Sequence, residues 1–292
     1  MESLFLQQLT NGLVTGGVYS LIAIGLTMIF GVMRISNFAH GDFSMVGAYV
    51  AVFVMSVIPG LSGFVGSIIA ATIVVALFGM ILEKSTFRPL LSRLTDIDII
   101  LVSIGLSIVM VNLAQLLFGA TPRMIPDPFG GITVNLGFAS TSLLRLFCLI
   151  SSVIIIILLQ VYLNRSRSGV AIRATAQNQK AALLMGIDIN KIYRLTFVLG
   201  SGLAGMGGVL YGTLFAINPT MGIMPTLKAF IVIILGGMGN IRGAIFSGFI
   251  LGVAEALGGS YISMDYKNSI GFIIVILVLL ISPNGLFGRR SA

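Results

Sequence analysis

Long charge-free apolar runs dominate the chain, and short polar gaps separate them. Residues 9–30 carry no charge over 22 positions, enough for one membrane-crossing helix at about 1.5 Å rise per residue. Residues 43–82 are charge-free for 40 positions, and Pro59-Gly60 divides them into two predicted helices joined by a tight turn. Further spans are predicted at 99–118, at 146–163 and from 195 to about 216, the last ending before Asn218-Pro219. Between 226 and 257 the apolar runs 229–241 and 243–254 hold only 13 and 12 residues. The glycine-rich string from Gly236, Gly237 and Met238 to Asn240, Arg242 and Gly243 marks a break there. Two short tilted helices or a re-entrant pair both fit. Residues 268–288 form the last span, giving about nine segments with a range of eight to ten. The expected fold is an all-α polytopic membrane protein with Gly-rich broken or re-entrant helices. A transmembrane β-barrel would instead alternate over roughly ten-residue segments.

Composition agrees. The 292 residues are 57% hydrophobic and only 9% charged, against about 25% charged in ordinary soluble domains. This excludes an ordinary soluble enzyme and a disordered chain. The net charge of +8 suggests nucleic acid only until placement is considered. Lys84, Arg88 and Arg93 share one gap, and Arg165, Arg167, Arg173, Lys180, Lys191 and Arg194 share a second. Arg289 and Arg290 close the sequence. All three sites, the C-terminus included, are expected on the cytoplasmic side by the positive-inside rule, without nucleic acid. The gap 119–141 has Arg123 as its one basic residue and is expected outside. Counting back puts the N-terminus outside too, unless residues 31–42 are re-entrant. Met1-Glu2-Ser3 lacks the basic region of a cleaved signal peptide, and Cys148 has no second cysteine to pair with.

No catalytic motif is present. His40 is the lone histidine, so no two-His metal site can form, and the absence of a Gly-Lys dipeptide excludes a phosphate-binding loop. Any ATP use is therefore expected on another chain. Residues 31–42 pack Arg34, Asn37, His40 and Asp42 between apolar blocks. A charge at bilayer depth costs about 2.5–3.5 kcal/mol on insertion scales. The cluster is either an ordinary loop or a break lining a path, and the Gly237–Asn240 region echoes its layout. Gly105, Ile108, Asn112 and Gln115 form one helical stripe, read as interhelical glue or substrate contact. Glu255 either lies at a wet interface or is paired with a cation inside the bundle. The pairs Gly12/Gly16, Gly208/Gly212 and Gly248/Gly252 suit close helix packing. Residues 164–194 carry enough apolar residues for short helices, one of them over 178–187 and ended by Gly186. Such a helix either docks on a protein or lies on lipid headgroups.

Several ordered segments resemble the permeases of the branched-chain amino acid ABC importer family. They are Asn11 to Thr27, Phe30 to Ile35, Asn37-Phe38-Ala39-His40-Gly41, Ser103 to Ser107, Ala176-Gln177-Asn178, Gly205 to Gly212 and Leu235 to Asn240. The string from Asn37 to Gly41 is the most specific. The resemblance implies one permease domain over 1–292, with 164–194 as its coupling region, in a prokaryotic cytoplasmic membrane. It also implies a second related permease, two cytoplasmic ATPases that hold the ATP, and an extracytoplasmic binding protein. Asn37, His40, Asn112, Gly237 and Asn240 are the path candidates. Lys180, Ala181, Ala182, Leu184, Met185 and Gly186 are the coupling candidates, with lysine where such permeases carry glutamate and without the Ile-x-Leu-Pro continuation. Similar permeases carry urea, short amides and other amino acids. An independent channel or carrier would use intramembrane acids, for which Asp42 and Glu255 are the candidates.

Overall fold

The computed structural model describes residues 2–91, 95–135 and 140–288, so Arg93, Arg289 and Arg290 lie outside the described residues. Helix α1 (Glu2–Met33) is followed by extended residues 34–39, then α2 (His40–Val57) and α3 (Gly60–Leu82). A π-helical turn, Glu83–Phe87, leads into α4 (Arg88–Leu91), and α5 (Asp96–Phe118) follows. Strands β1 (Thr133–Asn135) and β2 (Ser140–Ser142) pair antiparallel before α6 (Leu143–Arg165). Then come α7 (Arg167–Gln177), α8 (Gln179–Leu184), α9 (Ile189–Leu214), α10 (Ile223–Gly236), α11 (Ile241–Tyr261) and α12 (Lys267–Ile281).

Seven helices among the described residues are long and apolar enough to cross a membrane, and α10 and α12 are shorter apolar helices. The Pro59-Gly60 division is observed, with Pro59 as the N-cap of α3. Two boundaries differ from expectation. The second piece after the 236–243 break is a full 21-residue helix, not a short one. Its apparent end at Glu255 reflected a charge, and that charge is neutralised inside the bundle by Lys228. The last helix has 15 residues and stops at Ile281, because Pro283 follows and Gly285 turns the chain at φ 81°.

Burial separates centre from rim. The most apolar stretch of α1 is 83% buried, that of α5 only 22%. Helices α1, α9 and α2 form the centre, with α11 packed along α1, while α3, α5 and α6 present exposed apolar outer faces. Helices α1 and α11 touch backbone to backbone: a Cβ on Gly12 would sit 2.6 Å from Val253 Cα, and one on Gly16 2.8 Å from Phe249 Cα. Ser20 adds a bond from its hydroxyl to the Ile245 carbonyl at 2.9 Å. Without a hydrophobic drive between helices in lipid, such close approach supplies the dispersion contact that holds them. The packing reading of Gly12, Gly16, Gly248 and Gly252 is therefore the observed one.

The ends of the bundle differ in chemistry. At the N-terminal end of α1 the Gln7 side chain pairs both ways with the Ser140 backbone at 2.9 Å, and Arg145 donates to Asn11 at 2.8 Å. The N-terminal turns of α1 and the 119–141 gap thus share one end. At the opposite end Gln179 of α8 donates to the Val32 carbonyl at 2.7 Å. Residues 282–288 return to this basic end, where Leu286 N–H bonds the Leu235 carbonyl at 2.7 Å.

Candidate functional site

Residues 34–39 are the first break. Arg34 closes α1 at φ 58° in the left-handed region, with its N–H on the Phe30 carbonyl at 2.8 Å. The chain then climbs back along α1 in extended form. His40 Nε2 lies 3.1 Å from the Ile22 carbonyl, so that ring nitrogen carries the proton. Ile22 sits about 17 Å along the helix from Met33 at 1.5 Å per residue. Helix α2 therefore starts well inside the bundle, and irregular backbone at such depth requires partners within the protein.

Those partners are specific. Asn37 Oδ1 accepts from the Ala39 N–H at 3.1 Å, a local turn typical of asparagine. The Phe38 N–H donates to Ser103 Oγ of α5 at 3.1 Å. The Gly41 N–H donates to Thr226 Oγ1 of α10 at 2.9 Å, and Thr226 itself donates to the Gly222 carbonyl at 2.9 Å. The Phe38 and Phe230 rings stand 4.7 Å apart. Asn37 and His40 are fully buried, and Asn37 Nδ2 and His40 Nδ1 have no hydrogen-bond partner among the described residues. These two candidates hold the break from inside the chain rather than presenting side chains at its surface.

A second break meets the first, in a different place from the one expected. Residues 215–222 leave α9 with Ile217 paired to the Arg123 backbone at 2.8 Å, at the end shared with the 119–141 gap. They then descend without helix to Gly222, the N-cap of α10. Helix α10 spans 14 residues, about 21 Å, from there to the basic end. The N-termini of α2 and α10 thus face each other inside the bundle. Asp42, 1% exposed, lies between them. A Cβ on Gly222 would come within 2.9 Å of the Asp42 backbone nitrogen, and the Ser107 hydroxyl of α5 stands beside the carboxyl. By contrast the 236–243 string is a tight turn at the basic end, not a mid-bundle break. Gly237 caps α10 at φ 86°, and Asn240 caps α11 by accepting from the Gly243 N–H at 3.1 Å.

Asn112 is not brought to this cluster. It is exposed on α5, and its amide bonds the Ile108 carbonyl of its own helix at 2.7 Å. Gly105, Ile108 and Gln115 share that outward face, and nothing lies within 4 Å of a Cβ placed on Gly105. The stripe glues no helices within this chain. Lys228 went unnoticed in the sequence although it interrupts an apolar helix. It is 3% exposed and bonds Glu255, whose other oxygen accepts from Tyr19 at 3.2 Å. Glu255 is thus buried and paired with a cation inside the bundle.

The coupling candidates form a small protruding element. Asn178 Oδ1 caps α8 by accepting from the Ala181 N–H at 3.0 Å. At the other end Ile187 N–H bonds the Ala182 carbonyl at 3.1 Å, Gly186 N–H bonds the Leu183 carbonyl at 3.0 Å, and Gly186 takes φ 81°. This is a Schellman closure, which needs a left-handed residue at that position. Asp188 then caps α9, and the Lys191 backbone N–H, followed by its ammonium, holds that carboxyl below the usual range. Leu184 is 88% exposed and Met185 83%, with Leu183, Lys180 and Ala181 exposed beside them. Ala182 is instead buried and faces the chain. Leu183 and the tie from Gln179 were missed in the sequence: Leu183 reads as one more apolar residue, and Gln179 has no local signature.

An apolar bundle with two broken helices meeting inside it, and a rigid apolar finger at one end, is the architecture of a multi-pass membrane permease. The family described as "Branched-chain amino acid transport system / permease component" matches residues 8–281. The chain is 37% identical over 301 residues to the high-affinity branched-chain amino acid transport system permease protein LivH of Escherichia coli strain K12, covering 98% of this chain and 96% of that one. It is 37% identical over 299 residues, with the same coverages, to the corresponding protein BraD of Pseudomonas aeruginosa. A probable LivH of Methanocaldococcus jannaschii is 29% identical over 99% of this chain and 96% of its own. No solved structure matches the chain. The chain belongs to the branched-chain amino acid transport system permease family.

Proposed function

We propose that the chain carries branched-chain amino acids, leucine, isoleucine and valine, into a prokaryotic cell as one membrane subunit of an ATP-driven importer. The cargo reading rests on the similarity to LivH and BraD along nearly the full chain. The observation that carries the mechanism is the exposed Leu184-Met185 tip on a helix tied to α1 through Gln179. Residues 1–292 act as one permease domain, with 164–194 facing the cytoplasm as the coupling region. Two ATPase subunits hold the ATP, each receiving such a tip in a groove, and burial of one Leu or Met side chain is worth about 1.5–3 kcal/mol. A second, related permease covers the Asn112-Gln115 face of α5, and an extracytoplasmic binding protein delivers cargo at the end that holds Gln7 and Ser140. The C-terminus is cytoplasmic.

Movement of α8 on ATP binding pulls the Val32 carbonyl, the last turn of α1 before Arg34. That displacement reaches residues 34–39, and through Gly41 and Thr226 it reaches the start of α10. Asn37 and His40 act as positioning residues that keep the two helix starts in register. The test is leucine uptake into proteoliposomes. The chain assembled with its ATPases and second permease accumulates leucine with ATP when binding protein is supplied, and the chain alone does neither hydrolysis nor accumulation. Accumulation by the lone chain under a proton gradient would refute the importer reading.

A further inference from the structure

A cavity of about 690 Å³ opens at the basic end, apart from the meeting point of α2 and α10. The ends of α1, α6 and α7, the 238–242 turn and residues 287–288 enclose it. Two guanidiniums line it, Arg173 and Arg242, and among the described residues no acidic side chain does. Arg242 makes no hydrogen bond or ion pair among the described residues, and there Arg173 donates only to the Asn164 side-chain Oδ1, at 3.1 Å. Both guanidiniums are exposed along one concave wall and free of an acidic partner among the described residues, so their donors are available to an anion. Gln160 and Gln177 add amide donors. Met28, Leu163 and Phe287 supply an apolar side to the same wall.

The chemistry selects the anion. A carboxylate offers two acceptor oxygens in one plane. A phosphate offers more acceptor oxygens, and guanidinium forks match them in pairs. Basic pockets between membrane helices at the headgroup level suit phosphate-bearing groups, with adjoining apolar wall for the glycerol end of a lipid. We propose that this cavity is a phosphate site in which Arg173 and Arg242 hold a phosphodiester or phosphate ion against the ends of α1 and α7. Its place follows from contacts: it touches Gly31 and Val32 of α1, next to the Gln179 tie, so an occupant braces the same turn that α8 moves. The site stands on the cavity's geometry and does not require the cargo assignment.

The test uses the assembled transporter in detergent and chloride buffer of fixed ionic strength. Dihexanoyl phosphatidylglycerol, inorganic phosphate, dihexanoyl phosphatidylcholine and leucine are titrated, and binding is read from the thermal unfolding midpoint. Saturable stabilisation by phosphatidylglycerol above phosphatidylcholine assigns the site to an anionic lipid headgroup, whereas stabilisation by inorganic phosphate assigns it to a soluble phosphate. Arg173→Gln and Arg242→Gln each weaken that binding about tenfold or more, as loss of a charge-assisted bond does. Both side chains are exposed, so the variants fold, and Lys84→Gln, an exposed cation elsewhere, leaves binding unchanged. The proposal is overturned if neither phosphate probe binds, if leucine competes for the site, or if the double Gln variant binds phosphate as tightly as its parent. Release of the ATPases by the double variant with phosphate binding intact is that last result, and it assigns the two arginines to a protein contact.

Discussion

Replacing Lys228 by Met tests what holds α10 against α11. Lys228 and Glu255 are 3% and 1% exposed, so each charge is almost fully removed from solvent. With Lys228 gone, Glu255 keeps the Tyr19 hydroxyl at 3.2 Å as its hydrogen-bond donor, and Lys267 is the remaining cation near it. An uncompensated buried charge of this kind costs about 3–5 kcal/mol. Removing both charges in Lys228→Met/Glu255→Leu leaves two apolar side chains, a change that ranges from neutral to stabilising by about 1–4 kcal/mol. Tyr19→Phe alone removes one bond to a charged acceptor, about 1.5–3 kcal/mol. The double variant is therefore expected to recover most of what the single one loses, so the coupling term is large and opposite in sign to the single costs. Unfolding of the detergent-solubilised protein in increasing SDS mole fraction, followed by circular dichroism, supplies the cycle. The reasoning fails if Lys228→Met stays within about 0.5 kcal/mol of the parent, the range of ordinary surface changes. It fails equally if the losses in the double variant simply add.

Leu184→Asp and Met185→Asp alter side chains 88% and 83% exposed, so insertion and melting stay unchanged while ATPase co-purification and leucine uptake fall. Normal co-purification with both variants would remove α8 from the docking contact. Because Ala182 is buried, crosslinking to an ATPase is expected from Leu183→Cys and Met185→Cys and not from Ala182→Cys. Gln179→Leu keeps the tip but cuts the bond to Val32, so ATP hydrolysis persists and uptake per ATP drops; proteoliposomes measuring both rates distinguish this from loss of docking. Asn37→Ala and His40→Ala lower uptake with normal expression, and Gly16→Leu, which would drive a side chain into the α11 backbone 2.8 Å from its Cβ, prevents a stable bundle as judged by gel filtration.

Local chemistry was legible where a residue's own neighbours determine its state. Asn178 and Gly186 carry the signatures of helix start and stop, and the structure places α8 between them. The apolar runs located all the long helices for the same reason, since transfer to lipid is a sum over local residues. What depends on distant partners was not legible. Glu255 looked like a helix end because its counter-charge, Lys228, lies on another helix. The stripe through Asn112 has correct helical phase, yet phase does not say whether the stripe faces inward or outward. The break at 215–222 left only Asn218-Pro219 as a mark, because its depth is fixed by the contact of Gly222 with Asp42 across the fold. The glycines at 236–243 drew attention instead, though they serve a tight turn.

The protruding Leu183-Leu184-Met185 tip bears on the life of the subunit before assembly. Its Schellman closure and the Gln179 tie leave it no way to fold back and hide. In the proposed importer a newly inserted chain therefore displays exposed hydrophobic side chains until the proposed ATPase covers them. Chaperones and membrane proteases recognise such surface, so surplus copies are cleared while assembled ones persist. On the proposed docking, the three residues that an ATPase covers would then set the cellular ratio of permease to ATPase.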